Sequence, residues 1–554
     1  MRRGLRKFAK VVGLGLILLF LVPISGCGDN GESAADAGRD AASDGARTDA
    51  GIDPRFEPVV ESLKREMLDL GAPGAAVAII EKGEVTFAAG FGTRNPDKDD
   101  PVGPATLFRI GSVNKMLTAA GLLRLVDEGK VDLEKPITDY LPDFAFTQNP
   151  AWAPSITVWN LLTHSTGIVD YLEIDAKPEY QDDDGLSAYL DGEFESVGYL
   201  MAPAGAMYNY SNPNFMLAGY ILEKVSGEPY RQYMKDHVFT PLGMERTCFL
   251  PDEVLADGDY AFGLNNLILW GPELPSVMAP DAYDNPWGRP AGYAWSSVLD
   301  LAEFVKFLLH GNPSVLSDEQ RKAMQEPQIS TQEMLDLVSY GFGLSVGRGA
   351  FLGPGSEDFY LLKLVSHDGA IPGYSAEIFF VPEFDFGFIT LANSDGAYFT
   401  DTLVTAVTTL NTMPSRSEPP DLEMDPATFG RYVGKYLDLY NVGEILVSQE
   451  GDGLRISMPF CDAQAVPYEP MLEPYSPDNF ILNIQGTDIL LTFLFDDQGK
   501  VAFLRTRAFV ATPYEEDAGA DASLLEMPAA DLDSLRVIPE LPSILRLVKP
   551  RKDY

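Results

Sequence analysis

Ser112 and Lys115 form the only S-x-x-K string in the chain. Three residues apart on a helix, they share one face. The string opens an expected helix over residues 116–128, where Leu117, Leu122, Leu123, Leu125 and Val126 supply apolar positions. An alcohol is a weak nucleophile, and an amine within reach can take its proton. The N-terminal end of a helix favours the negative charge that develops there. A chain of 554 residues holds such strings by chance, so the meaning of this one depends on the rest of the sequence.

Covalent acyl transfer needs a second proton-handling group, donors for the oxyanion and a residue that holds the substrate. Tyr210-Ser211-Asn212 offers a phenol, whose proton a neighbouring lysine charge loosens, and an amide that both donates and accepts. The same pattern recurs at Tyr283-Asp284-Asn285, so by itself it decides nothing. His367-Asp368-Gly369-Ala370 follows an expected strand over 359–365. A strand beside the nucleophile can offer a backbone N–H to the oxyanion, and Gly369 would permit close approach of a substrate. No cluster has metal-ligand spacing, and no cofactor is implied. The acidic run Asp182-Asp183-Asp184 lacks an EF-hand pattern and reads as a solvated loop.

The elements that must position these groups follow from periodicity. Residues 55–70 read as an amphipathic helix, and 75–80 with 84–89 as a hairpin around Lys82-Gly83. Residues 112–310 are mostly helical, including helices over 214–225 and 298–309. Strands return at 359–365, 376–381 and 386–391. Strands at both ends with helices between them predict an α+β domain: an antiparallel sheet flanked by helices, with a helical region inserted. A Pro/Ser stretch near 413–421 reads as a linker. Short β runs at 444–447, 454–458, 479–484, 489–495 and 501–506 predict a small antiparallel sheet or barrel.

With their flanks, the three strings resemble the beta-lactamase-related serine hydrolases: class C beta-lactamases, D-alanyl-D-alanine carboxypeptidases and kindred esterases. The flanks are Phe108 through Lys115 with residues 122–144, the run 156–167 (ITVWNLLTHSTG), and Tyr210-Ser211-Asn212 with residues 218–223. Pro241-Leu242-Gly243-Met244, and Ala291-Gly292 with Leu299-Asp300-Leu301, also fit. The resemblance covers roughly residues 56–393. It implies that Ser112 attacks an ester or amide carbonyl and that Lys115 and Tyr210 share the proton work. Which of the two is the primary base is not readable from sequence. It further implies that Asn212 positions the substrate and Lys115, that the N–H groups of Ser112 and Ala370 form the oxyanion hole, and that His367 assists. His164, inside the 156–167 run, is expected to be structural.

One departure from the family stands out. Its beta-lactamases and penicillin-binding members usually carry Lys-Thr-Gly where this chain has His367-Asp368-Gly369. Histidine is a weaker, switchable cation. Asp368 replaces a hydroxyl that could bind a substrate carboxylate, and its charge should repel one. The branch resembled is therefore esterase- or peptidase-like. A true beta-lactamase, and a catalytically silent binding or regulatory protein of the same fold, stay open as alternatives. The C-terminal β region resembles the small lipocalin-like domains that follow such hydrolases, with Tyr432 through Tyr436 as its opening strand.

The termini and the charge bound location and partners. Arg2, Arg3, Arg6, Lys7 and Lys10 precede an apolar run over 11–22, then Ile24-Ser25-Gly26-Cys27. That reads as a secretory signal, with an uncleaved membrane helix as the alternative, and its end resembles a bacterial lipobox with Cys27 as the lipidated residue. The expected organisation is a signal over 1–27, a flexible acidic linker over 28–53 and a hydrolase over 54–414. A β domain over 422–515 and a peripheral tail over 516–554 complete it. Cys248 and Cys461 are expected as free thiols. The net charge of -41 argues against nucleic acid as a partner. The expected partners are a small-molecule or peptide substrate and, through the lipid, a cell-envelope membrane.

Overall fold

Strands rich in apolar residues and buried along most of their length build the central sheet, because both of its faces are covered. The computed structural model describes residues 52–147, 150–170, 177, 180–265, 276–280, 284–352 and 358–514. Cys27, the expected signal, nearly all of the expected linker, Tyr283 and the 516–554 tail lie outside the described residues. The sheet comprises β1 (Gly74–Glu81), β2 (Glu84–Gly92), β3 (Ile329–Ser330), β4 (Val338–Tyr340), β5 (Ser345–Gly347), β6 (Leu364–Ile371), β7 (Tyr374–Val381) and β8 (Phe386–Ala392). Its order is β2-β1-β8-β7-β6-β5-β4-β3, antiparallel throughout.

Side chains alternate across each strand. Ala76, Ala78 and Ile80 of β1, with Ile378 and Phe380 of β7, enter the core under the inserted helical region. Ala75, Val77 and Ile79, with Phe379 and Val381, enter a second core beneath α1 (Glu57–Asp69) and the helix Thr400–Leu410. Strands from residues 74–92 and from residues 329–392 therefore meet in one sheet, as an α+β reading requires.

Helix α2 (Asn114–Asp127) runs through the centre of the larger core, buried from Asn114 to Leu123. It packs on α3 (Asn212–Ser226), whose first residue is the asparagine of the second string. The expected strand over 359–365 is not continuous. Phe359–Tyr360 pairs with Ala350–Phe351 in a separate two-stranded sheet, and β6 starts only at Leu364. The exposed Leu361 and part-exposed Lys363 break the run, so His367, Gly369 and Ala370 lie inside β6 rather than past its end.

Residues 411–425 carry no helix or strand. Beyond them, eight strands from Gly434–Asp438 to Val510–Pro513 form a closed barrel. Tyr436↔Pro513 and Leu437↔Thr512 close it. Tyr432, Phe480 and Phe493 fill its interior in mutual ring contact. The opening strand begins at Gly434, because residues 426–432 form a 3-10 turn. Cys248 and Cys461 are free thiols. Residues 181–184 are exposed, and Asp183 pairs there with Arg231.

The helix Thr400–Leu410 is tied to the start of the fold by one carboxylate. Glu66 of α1 accepts from Asp401 N–H (2.9 Å), Thr402 N–H (2.7 Å) and Thr402 Oγ1 (2.6 Å). An anion at a helix N-terminus satisfies amides that have no intrahelical partner. Glu66→Ala strands these donors and is expected to lower unfolding stability by about 1–3 kcal/mol. Urea denaturation checks this, with the specific activity of the folded fraction unchanged.

Candidate active site

Ser112 sits in a short 3-10 turn, Gly111–Val113, that leads into α2. Its N–H belongs to a first turn, where amides have no intrahelical acceptor. Gly111 has φ +49, and a Cβ there would lie 2.7 Å from Ala370 N. A Cβ on Gly369 would lie 2.0 Å from Ile110 O. Two glycines thus let the turn press directly on the edge of β6. The β6–β7 hairpin turns at Pro372-Gly373, with Ile371 opposite Tyr374 and Ala370 opposite Ser375. In a two-residue hairpin the closing pair is hydrogen-bonded and the next pair is not. The N–H of Ala370 therefore leaves β7 and faces Gly111-Ser112. That is where an oxyanion donor belongs.

Lys115 is completely buried. Its Nζ lies 2.9 Å from Ser112 Oγ, 2.8 Å from Asn212 Oδ1 and 2.7 Å from the carbonyl oxygen of Ala291. The helix fixes that last carbonyl by gripping three successive ones. Asn114 Nδ2 donates to Arg289 O (2.5 Å) and Thr118 Oγ1 to Pro290 O (2.7 Å), with Lys115 on Ala291 O. Burial holds the amine well below the usual lysine range; the Asp170 charge opposes this and the Arg507 charge adds to it.

Tyr210 lies over Lys115, with Nζ 4.9 Å from its ring centroid, and its hydroxyl neighbours that of Ser112. Burial raises the phenol above its ordinary range, while Arg507 and the Ser112 hydroxyl pull it down. The phenol keeps its proton at neutral pH, and burial favours the uncharged form of Lys115. Asn212 is held by Asp170, whose Oδ1 accepts from Asn212 N–H (2.8 Å) and Nδ2 (3.1 Å). With Nδ2 so engaged, Asn212 must present Oδ1 to Lys115.

His367 departs from the sequence expectation of a weak cation. Burial, then the nearby Lys115, push its imidazole down to about 3. The neutral ring donates from Nδ1 to Asp368 O (2.6 Å) and accepts at Nε2 from the Tyr340 hydroxyl (3.1 Å). It fastens β6 to β4 beside the site, with its ring 6.4 Å from that of Tyr210. Asp368 is near enough to oppose ionisation of Tyr210. His164 is packed inside the fold behind Tyr210. It is fully buried, and its Nδ1 accepts from Ser211 N–H (3.2 Å) and Asn214 Nδ2 (3.0 Å). It stacks under Tyr210 at 4.2 Å and so shapes the loop that carries the phenol.

Ser112, Lys115, Tyr210, Asn212 and the Ala370 backbone thus converge, with His367 and Gly369 forming the adjoining wall. Two further residues were not expected. Asp170 lies three positions beyond the 156–167 run, and its place beside that run was the one signal available. Arg507 comes from the C-terminal barrel, and its guanidinium carbon sits 4.5 Å above the Tyr210 ring. Nothing in its surrounding sequence marks it. Among the described residues, no group of acidic, histidine or cysteine side chains could hold a metal ion.

This geometry has counterparts. A beta-lactamase family model matches residues 56–407. An unguisins hydrolase of Aspergillus campestris is 29% identical over 358 residues, covering 63% of this chain and 64% of that protein. Protein flp of Staphylococcus aureus is 29% identical over 329 residues, covering 59% of this chain and 60% of that protein. The chain thus spans less than two thirds of the length of these curated relatives. The octameric penicillin-binding protein homologue from Pyrococcus abyssi superposes with a TM-score of 0.53 at 25% identity. That likeness covers 82% of this chain and 98% of the other. With a family match over more than half of its residues, the chain belongs to the beta-lactamase family.

Proposed function

We propose that this protein is a serine hydrolase that cleaves an ester or amide through an acyl-enzyme on Ser112. We further infer that Cys27 tethers it by lipid to a bacterial envelope membrane, facing a small-molecule or peptide substrate. One observation supports the chemistry above all others: the buried amine of Lys115 has two acceptor-only partners, Asn212 Oδ1 and Ala291 O. A neutral amine spends its two N–H bonds on them. Its lone pair is left for the Ser112 hydroxyl at 2.9 Å.

The steps follow. Ser112 Oγ attacks the carbonyl carbon as its proton passes to Lys115. The carbonyl oxygen takes the negative charge between the N–H groups of Ser112 and Ala370. The tetrahedral adduct collapses, and the bond to the leaving alcohol or amine breaks. Tyr210 supplies a proton to that leaving group and regains one from Lys115. Water then attacks the acyl carbon by the same route and releases the acid. His367 is neutral here and Asp368 is acidic, so the wall that carries Lys-Thr in penicillin-recognising relatives offers no cation. That supports an ester or peptide substrate over a penicillin.

A screen of short p-nitrophenyl esters, D-Ala-D-Ala peptides and nitrocefin tests the reading. The expected result is turnover of an ester or peptide, with nitrocefin poorer, and a loss of at least about 10⁴-fold in Ser112→Ala. Turnover unchanged in that variant contradicts it. The acid limb of kcat/KM is expected well below the ordinary lysine range, since activity requires neutral Lys115. Lys115→Met is expected to lose roughly 10²–10⁴-fold in kcat.

The same variant should be more stable than wild type at pH 7. The lysine binds a proton in the unfolded chain but gives it up when buried, so the native amine costs stability below the unfolded pKa. The advantage of the variant is greatest at low pH and shrinks as pH rises toward 10.5. Urea unfolding at pH 7 and near pH 10 checks the sign.

A further inference from the structure

We propose that the C-terminal barrel completes the catalytic site, with Arg507 as a positioning residue that holds Tyr210 and, through Asp170, Asn212. The inference rests on the reading of Ser112 and Lys115 as the reacting pair. Its observations come from the other end of the chain. Arg507 lies in the turn between the barrel strands Val501–Arg505 and Val510–Pro513. Thr506 makes this turn rigid: its N–H donates to Phe509 O (2.9 Å), and its Oγ1 accepts from Ala508 N–H (3.1 Å) and Phe509 N–H (3.0 Å).

Arg505 bolts the turn in place. It is buried and donates to Tyr208 O (2.5 Å), Thr331 O (3.0 Å) and Thr492 Oγ1 (3.1 Å). Tyr208 lies two residues before the phenol of the site, so the barrel grips the loop that carries Tyr210. On the other side of the turn, Asn441 Nδ2 donates to Ala508 O (3.0 Å) and accepts at Oδ1 from the Tyr199 hydroxyl (2.7 Å).

Arg507 itself reaches the reacting groups by two routes. Its guanidinium stacks on Tyr210 at 4.5 Å, a cation on an aromatic face. Its Nε donates to Asp170 Oδ2 at 2.5 Å. The other oxygen of Asp170 holds both nitrogens of Asn212, which turns Asn212 Oδ1 to Lys115 at 2.8 Å. The chain of contacts runs Arg507, Asp170, Asn212, Lys115, Ser112, with no bond longer than 3.1 Å. Arg507 is 23% exposed and Asp170 14%, so solvent screens this ion pair little.

Removing the arginine leaves the Asp170 charge uncompensated beside Lys115 and Tyr210. That charge favours protonated Lys115 and protonated Tyr210. The other charged groups around the pair are Asp368, beside Tyr210, and Glu333, beside Tyr208. His164 and His367 face Lys115 and are neutral by burial, and the phenols of Tyr208 and Tyr340 face Tyr210. Arg505 lies beside Tyr208 and pairs with Glu333, whereas Arg507 is the cation paired with Asp170.

The test compares full-length wild type, Arg507→Ala, Arg507→Lys and Ser112→Ala on the best ester, measuring kcat and KM from pH 5 to 10 and unfolding midpoints. Arg507→Ala is expected to lose at least about tenfold in kcat with KM changed less than about threefold. Its acid limb should move to higher pH. Arg507→Lys keeps the charge and should return the limb to the wild-type position. A folded Arg507→Ala with wild-type kcat and limb overturns the inference. If Arg507→Ala does not fold, Arg507→Lys decides: a limb displaced upward despite the retained charge overturns it. Loss of the underlying reading is a separate result, seen as equal turnover by wild type and Ser112→Ala.

Discussion

The site depends on one constraint: an amine with no access to water. Lys115 is enclosed on every side, and a buried ammonium is costly unless its hydrogen bonds are met. Three oxygen partners meet them, and two of these can only accept. The three partners can serve either form: an ammonium donates to all three, and the neutral amine donates to two and accepts from the Ser112 hydroxyl. Burial is what tips the balance toward the neutral amine. In the proposed mechanism the serine becomes reactive because the lysine next to it is kept out of solvent.

Much of the surrounding structure serves that enclosure. Helix α2 places Ser112 and Lys115 on one face and pins the 289–291 carbonyls beneath them. Two glycines allow the turn at Ser112 to touch the bare edge of β6, where Ala370 offers its N–H. The sheet itself is stiffened by cores on both faces, so that edge is a fixed reference. The barrel enters as the last wall. Two of its arginines have different work: Arg505 secures the contact, and Arg507 brings charge to the phenol and to Asp170.

Much of this was legible in the sequence, and the limits have physical causes. The Ser112-Lys115 spacing, the strand alternation and the β-rich C-terminus follow from local periodicity and were readable. The reach of the strand at His367 was misplaced, because Leu361 and Lys363 fit a strand pattern while lying outside the sheet. The state of His367 could not be read, since it is set by burial and by Tyr340 on another strand. Asp170 stood beside a recognisable run but had no role until Asn212 was seen to need it. Arg507 was invisible for a stronger reason: its partner lies 337 residues away, and only the closed barrel brings the two together.

In the proposed mechanism Ser112 is the nucleophile and buried Lys115 makes it one. Intact-protein mass spectrometry with an alkyl fluorophosphonate at pH 7 addresses both halves directly. The account predicts one adduct per chain, mapped to Ser112, absent in Ser112→Ala and formed far more slowly in Lys115→Met. An adduct on another residue, or equal labelling rates in wild type and Lys115→Met, would contradict it.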